Sequence, residues 1–249
     1  MSKFTCNITL ITGASSGIGA AFARALAGPG CRLVLVARRA DRLQALATEL
    51  EQQGAQVETL TADLASEQGI QLVAQKIASE PHLDLLINNA GFGIHGPFAR
   101  EPLEIQAAML RVHDEAPLRL THTALQGMLA RKHGAIINVS SVSAYLSNAD
   151  GVIYSATKSF LTTFSRALHK GLRGTGVKIQ ALCPGFTHTE FHEPSDIMDM
   201  DVHSIPAFLW MDARKVVAVS VKALERDQVV VVPGLIYKLV VFFARLGFA

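Results

Sequence analysis

Cysteine is scarce in this chain: three residues in 249, at Cys6, Cys31 and Cys183, widely separated and odd in number. No CxxC or Cys/His ligand spacing occurs among them, so neither a disulfide framework nor a zinc site is expected. Charge is scarce too. Charged residues are 18% of the total, and 23 basic against 21 acidic groups leave a formal net charge of +2. The cations are scattered, so no long-range field holds a phosphate backbone, and a nucleic-acid partner is not expected. A long uncharged apolar run is also missing. Val229 to Ala249 is very apolar, but Pro233, Lys238 and Arg245 interrupt it before the roughly 18 residues a spanning helix needs. No apolar leader with a small-residue cleavage site follows Met1, which points to a cytoplasmic protein. Internal repeats, low-complexity tracts and linkers are absent as well.

Apolar surface is what the chain has in quantity. Hydrophobic residues make up 49% of it. A mean hydropathy of +0.28 is too apolar for a disordered chain and too evenly spread for a membrane bundle, leaving one globular domain over residues 1–249. Short β-branched runs recur at Ile8–Thr12, Leu33–Ala37, Gln56–Thr61, Leu83–Asn88, Ala135–Ser140, Val177–Leu182 and Gln228–Val232. Nearly continuous Val, Ile and Leu, rather than alternation, is expected of parallel strands covered on both faces. Between them, segments such as Gly17–Ala27, Arg42–Gln53, Glu101–Arg131 and Ile153–Leu172 carry helical spacing. The alternation predicts an α/β, Rossmann-type doubly wound parallel sheet of about seven strands.

The first strand runs directly into Thr12-Gly13-Ala14-Ser15-Ser16-Gly17-Ile18-Gly19 and then a helix. Glycines there let the backbone turn sharply and approach a pyrophosphate, whose charge is favoured by the free amides of the helix N-terminus. Taken alone the pattern is also a plain structural turn; strand before and helix after make it a dinucleotide candidate. At the end of the second strand an acidic residue would accept the 2′-hydroxyl of NAD, but the sequence reads Val36-Ala37-Arg38-Arg39, with the first acid at Asp41. Arg38 and Arg39 either meet a 2′-phosphate, favouring NADP(H), or are solvated charges at a helix start.

Tyr154 and Lys158 stand at i and i+4, on one helix face, where the ammonium and an oxidised nicotinamide ring would favour phenolate and let the phenol exchange a proton with a carbonyl or alcohol oxygen. YxxxK is common on helices as a surface pair. Here Asn88-Asn89-Ala90-Gly91, Ser140-Ser141 and Cys183-Pro184-Gly185 end other strands at the same carboxyl edge, the edge where ligands of open α/β sheets bind.

These motifs in combination resemble the short-chain dehydrogenase/reductase family, from Thr5 to about Val232. The resemblance implies hydride transfer between NADP(H) and a carbonyl or secondary alcohol carbon, here an apolar ketone, aldehyde or 3-oxoacyl compound. It implies Tyr154 as acid/base, Lys158 on the nicotinamide ribose, and Ser141, thirteen residues before the tyrosine, as substrate-oxygen donor. The turn from Gly13 through Ser15, Ser16, Gly17, Ile18 and Gly19 would hold the cofactor. By the same likeness Asp63 and Leu64 flank the adenine, Asn89, Ala90 and Gly91 contact the cofactor, and Pro184, Gly185, Thr187 and Thr189 close its nicotinamide end. A homodimer or homotetramer is also implied. His113 stands where the family usually has an asparagine that anchors a relay water. It either conducts protons in that role or is a packing histidine. A non-catalytic NADP(H)-binding regulator on the same fold is the alternative reading.

Residues 186–211 form an irregular stretch with the length of a substrate lid. Phe186, Phe191, Phe208, Leu209 and Trp210 would give it an apolar pocket, with core packing as the plainer reading. His188 and His192 lie four apart beside Glu190 and Glu193, but without a glutamate directly after the first histidine no metal is expected; Asp196, Asp199 and Asp201 read as solvated charges. In the apolar segment 234–249, Ile236, Leu239, Val240, Phe243 and Leu246 form one helical stripe that would dock on the domain. Val241, Phe242 and Phe248 remain off it. They call for intramolecular cover or a subunit, with weak peripheral membrane contact as the other explanation.

Overall fold

The computed structural model describes residues 7–192 and 205–247. Its main sheet has seven parallel strands in the order β3-β2-β1-β4-β5-β6-β9. These are β1 (Ile8–Thr12), β2 (Arg32–Ala37), β3 (Gln56–Thr61), β4 (Leu85–Asn88), β5 (Gly134–Val139), β6 (Val177–Leu182) and β9 (Val230–Val231). Every expected run is a strand, with boundaries within two residues. The order reverses direction between β1 and β4, and the crevice at that reversal is where open α/β sheets take ligands.

Helices cover both faces. On one side lie α1 (Gly17–Leu26), α2 (Ala40–Glu51) and α7 (Ala213–Glu225); on the other lie α3 (Glu67–Ala78), α5 (Ala116–Arg131) and α6 (Val152–Gly171). Successive strand residues split between the two cores. Ile11, Leu33, Leu35, Ile87 and Ile137 pack toward α1, α2 and α7, while Leu10, Val34, Val36, Leu86 and Ile136 pack toward α3 and α5. Continuous apolar runs are required for that arrangement, since both faces of a strand are taken out of water. β3 is the exception, being mostly half-exposed, with open ends at Gln56 and Thr61. It is one of the two edge strands, and there charge replaces apolar cover: Arg32 bonds Glu58 at 2.8 Å and Glu80 at 2.7 Å, and Lys76 bonds both acids at 2.8 Å.

The long helix expected over Glu101–Arg131 is broken. α4 (Leu103–Leu110) passes through a π turn, Arg111–Glu115, before α5 begins. Pro117 explains the interruption. In an unbroken α-helix its missing N–H would bond the His113 carbonyl, and its ring would clash there. The ladder widens instead, with the Ala116 N–H reaching the Arg111 carbonyl.

Two further expectations are corrected. The segment after β6 is less irregular than its composition suggests, because β7 (Thr187–His188) pairs in parallel with β8 (Met211–Asp212). That pairing ties the two ends of the stretch together; Asp196, Asp199, Asp201, Glu193 and the His192 side chain fall outside the described residues. The terminal helix α8 (Leu235–Arg245) docks by the opposite face from the one expected. Tyr237 and Val241 are buried, while Ile236, Leu239, Phe243 and Leu246 face outward, Leu246 at 57% exposure. Tyr237 decides the matter: its hydroxyl donates to the Leu209 carbonyl at 2.7 Å and accepts the Phe186 N–H at 3.0 Å. Phe248 lies outside the described residues. Among them no helix is long and apolar enough to cross a membrane.

Candidate functional site

The turn after β1 is held by close backbone approach. Gly13 adopts φ +65°, and a Cβ there would sit 2.8 Å from the Ala90 Cα. At Gly19 a Cβ would meet the Gly13 carbonyl at 2.3 Å, so only glycine lets the first turn of α1 close on the loop. Asn89 and Ala90 brace this turn. The Asn89 amide donates to the Thr12 and Gly13 carbonyls at 2.9 and 3.1 Å, and both backbone N–H groups donate to Thr12 Oγ1. Ile18 packs beside the core under the turn.

The two arginines after β2 part company. Arg39 lies along the turn, donating through Nη2 to Ser15 Oγ at 3.1 Å and Ser16 Oγ at 2.9 Å. Its Nη1 meets Glu190 at 2.8 Å. Arg38 is exposed and has no ion pair among the described residues. Asp63 accepts the Ala65 N–H at 3.0 Å, shaping the turn after β3 beside the buried Leu64. The glycine cradle and the guanidinium already gripping a carboxylate suit a dinucleotide phosphate.

On the other side of the crevice the two serines that follow β5 have different tasks. Ser140 Oγ donates to the Lys158 carbonyl at 2.7 Å and also meets Thr162, fastening α6 to the sheet. Ser141 caps the 3-10 turn Val142–Tyr145, its Oγ accepting the Ser143 N–H at 3.1 Å, and its hydroxyl lies close enough to the Tyr154 phenol to favour the phenolate. Lys158 Nζ stands 5.5 Å from the Tyr154 ring centroid and donates to the Val139 carbonyl at 3.0 Å. Ser141, Tyr154 and Lys158 therefore converge, as expected from the sequence.

Burial sets the charges of this group. Desolvation pushes the Tyr154 phenol up to about 12, outweighing the nearby Ser141 hydroxyl, which favours phenolate. Burial thus opposes the lowering expected from Lys158 together with an oxidised nicotinamide ring. Desolvation brings Lys158 down to about 8, against the Asp114 carboxylate and the Cys183 thiol, which favour its charged form. Asp114, on the π turn, is itself raised to about 6 by burial, opposed by Lys158. Its Oδ1 is buried with no hydrogen-bond partner among the described residues.

His113 is fully occupied. Nε2 accepts the Phe92 N–H at 3.1 Å, which leaves Nδ1 as the N–H facing Thr157 Oγ1 at 3.0 Å. Burial and the nearby Lys158 hold its pKa well below 6.5. Gly91 backs onto the ring, so close that a Cβ would lie 2.8 Å from Nε2. With both nitrogens bonded to protein, the ring has none left to hold a relay water, and the geometry favours a packing histidine.

The segment after β6 lies along the crevice. Pro184 accepts the Val142 N–H at 3.0 Å, Gly185 lies against the Tyr237 ring, and Thr187 Oγ1 donates to the Gly185 carbonyl at 2.9 Å. Thr189 abuts Gly17. His188 stacks on Trp210 with centroids 4.9 Å apart, and Glu190 pairs with arginines, so neither is arranged as a metal ligand. Phe191 packs on Tyr154 at 5.8 Å and Phe186 on Trp210 at 5.5 Å, whereas Phe208 is 71% exposed.

Residues 7–199 match a family model described as short chain dehydrogenase. The chain belongs to this family. A short chain dehydrogenase of Pseudocercospora fijiensis is 34% identical over 193 residues, spanning 76% of this chain but only 62% of that protein. Serine 3-dehydrogenase of Rhizobium radiobacter is 35% identical over 187 residues, 73% of this chain and 72% of that one. A short-chain dehydrogenase of Sphingobium yanoikuyae, solved in complex with NADPH, superposes with a TM-score of 0.86 at 33% identity, covering 96% of this chain and 94% of that one.

Sequence reasoning missed parts of this short-chain dehydrogenase's site. A shallow cleft beside Tyr154 is lined by Ile94, Gly96, Phe98 and Glu101 from the loop before α4 and by Gln106 on α4 itself. That loop has no periodicity to mark it. Asn88 was seen only as part of a motif, yet its amide donates to Thr121 and Asn138, and Asn138 donates to Ser165. Polar residues interrupting the apolar runs of β4 and β5 were the signal for this buried network.

Proposed function

We propose that the protein is an NADPH-dependent carbonyl reductase acting on an apolar ketone, aldehyde or 3-oxoacyl compound. The observation that carries this reading is the convergence of Ser141, Tyr154 and Lys158 at the carboxyl edge of the sheet. Bound NADPH supplies a hydride to the carbonyl carbon. The chain's own part is to hold and protonate the oxygen. Tyr154, kept as a neutral phenol by burial, donates its proton to that oxygen while Ser141 donates a hydrogen bond, and the Lys158 ammonium stabilises the phenolate left behind. A phenol raised to about 12 is protonated throughout the physiological range, which suits the reductive direction.

Gly13, Gly17 and Gly19 would cradle the pyrophosphate at the N-terminus of α1, and Arg39 with Ser15 and Ser16 would take the 2′-phosphate. Asp63 and Leu64 would flank the adenine; Asn89 to Gly91 and Pro184 to Thr189 would line the nicotinamide side. The NADPH complex of the Sphingobium relative supports this cofactor choice. Phe191 and Phe98 beside Tyr154 support an apolar substrate. An oligomer, implied by the family, would cover the outward apolar face of α8.

The test is NADPH consumption over a panel of carbonyl compounds by the wild type and Tyr154→Phe. Loss of the acid should reduce kcat by roughly a hundredfold to ten-thousandfold. Turnover surviving in Tyr154→Phe would refute the proposed acid. Tight NADPH binding with no turnover across the panel would favour the non-catalytic regulator.

A further inference from the structure

Glu190 reaches from the segment after β7 to the corner after β2, in contact with Arg39 and Arg42. Its Oε2 lies 2.8 Å from Arg39 Nη1, and its Oε1 takes the Arg42 guanidinium. Arg39 is the same residue that donates to Ser15 and Ser16 at the head of the glycine turn. One guanidinium thus has hydroxyls on one side and an anion on the other. A carboxylate and a phosphate present the same chemistry to such a fork, paired acceptor oxygens on an anionic centre. The two arginines hold the Glu190 carboxyl below its usual range, so it is an anion at neutral pH.

We infer that Glu190 is an internal anion occupying the 2′-phosphate subsite, displaced when a phosphorylated cofactor binds, and so a determinant of cofactor discrimination. The inference rests on the reading of Arg39 as the 2′-phosphate residue. NADH carries only a hydroxyl at that position and leaves the Glu190 pairs intact. NADPH brings a competing anion, and its arrival breaks them. The wild-type preference for NADPH is therefore smaller than Arg39 alone would give. The displaced residue adjoins Thr189, which abuts Gly17 of the glycine turn. The pairs are partly solvated, with Glu190 at 35% and the arginines at 42% and 45% side-chain exposure. Displacing them is correspondingly a modest effect.

The test uses the full chain and a cofactor fragment. Binding of 2′,5′-ADP and 5′-AMP is measured by titration calorimetry for the wild type, Glu190→Gln and Arg39→Ala. Glu190→Gln should bind 2′,5′-ADP roughly three- to tenfold more tightly and 5′-AMP equally, because it keeps the shape of the side chain and removes its charge. Unchanged or weaker binding of 2′,5′-ADP, in a wild type that does prefer it over 5′-AMP and loses the preference in Arg39→Ala, overturns the role of Glu190 and leaves the subsite standing. A wild type with no preference for 2′,5′-ADP overturns the subsite, and the inference with it.

Discussion

Tyr237→Phe tests how the terminal helix is attached. The substitution removes one oxygen and keeps the ring that packs on Gly185, so its effect isolates the hydroxyl. That hydroxyl serves both the Phe186 N–H at 3.0 Å and the Leu209 carbonyl at 2.7 Å, on two segments that flank the crevice. Both partners are half-buried, so each loses about 1 kcal/mol when left without a mate, and the variant should be destabilised by about 2 kcal/mol. For a chain of this size that corresponds to a fall in Tm of roughly 4–8 °C. Differential scanning calorimetry measures the first quantity, and hydrogen exchange at the Phe186 amide measures the local one directly. Tyr237→Ala should cost more, about 3–5 kcal/mol, since it also empties the space among Val142, Val232 and Val241. A Tm for Tyr237→Phe within about 1 °C of wild type, with unchanged protection at Phe186, would refute the reasoning.

Two further outcomes concern the charges around Tyr154. The reductive kcat/KM for NADPH should fall above pH about 8 as Lys158 loses its proton, and Asp114→Asn should move that limb to lower pH. The sign follows because the Asp114 carboxylate favours the ammonium and the amide does not. An unmoved limb would show that Asp114 does not act on Lys158. His113→Asn should leave the pH profile from about 6.5 to 9 unchanged, because an imidazole held well below 6.5 has no charge to lose in that window. It should still lower Tm, since the Phe92 N–H and Thr157 Oγ1 change partners; a shifted acid limb would restore the relay reading.

Much of the fold was legible because its signals are local. Apolar runs covered on both faces need no partner to be recognised, and β1, β3 and β6 begin and end where the sequence expects them. The Ser141, Tyr154 and Lys158 convergence was legible for a related reason: two of the three share one helix turn, and the third ends a neighbouring strand. The break in the long helix was missed, although Pro117 carries it: the clash with the His113 carbonyl follows from backbone geometry alone, but helical spacing on both sides masked it. The edge position of β3 was not read from the sequence, although Gln56, Glu58 and Thr61 make it less apolar than the interior strands.

What stayed hidden depends on partners far away in the chain. α8 is apolar on more than one face, so periodicity nominated a stripe but could not choose it; Phe186 and Leu209, 51 and 28 residues from Tyr237, made the choice by meeting its hydroxyl. Arg38 and Arg39 are equivalent on paper, and only the packing of Ser15, Ser16 and Glu190 separates them. The burial of Tyr154 stayed hidden for the same kind of reason, since the sequence displays the nearby cation but not the depth of desolvation opposing the phenolate. The amino-acid order by itself determined which chemical groups stand at the strand ends, because strands, turns and helix faces obey short-range rules. Tertiary structure decided which of those groups are charged, paired or spoken for, because desolvation and hydrogen-bond satisfaction are set by whatever the rest of the chain brings alongside.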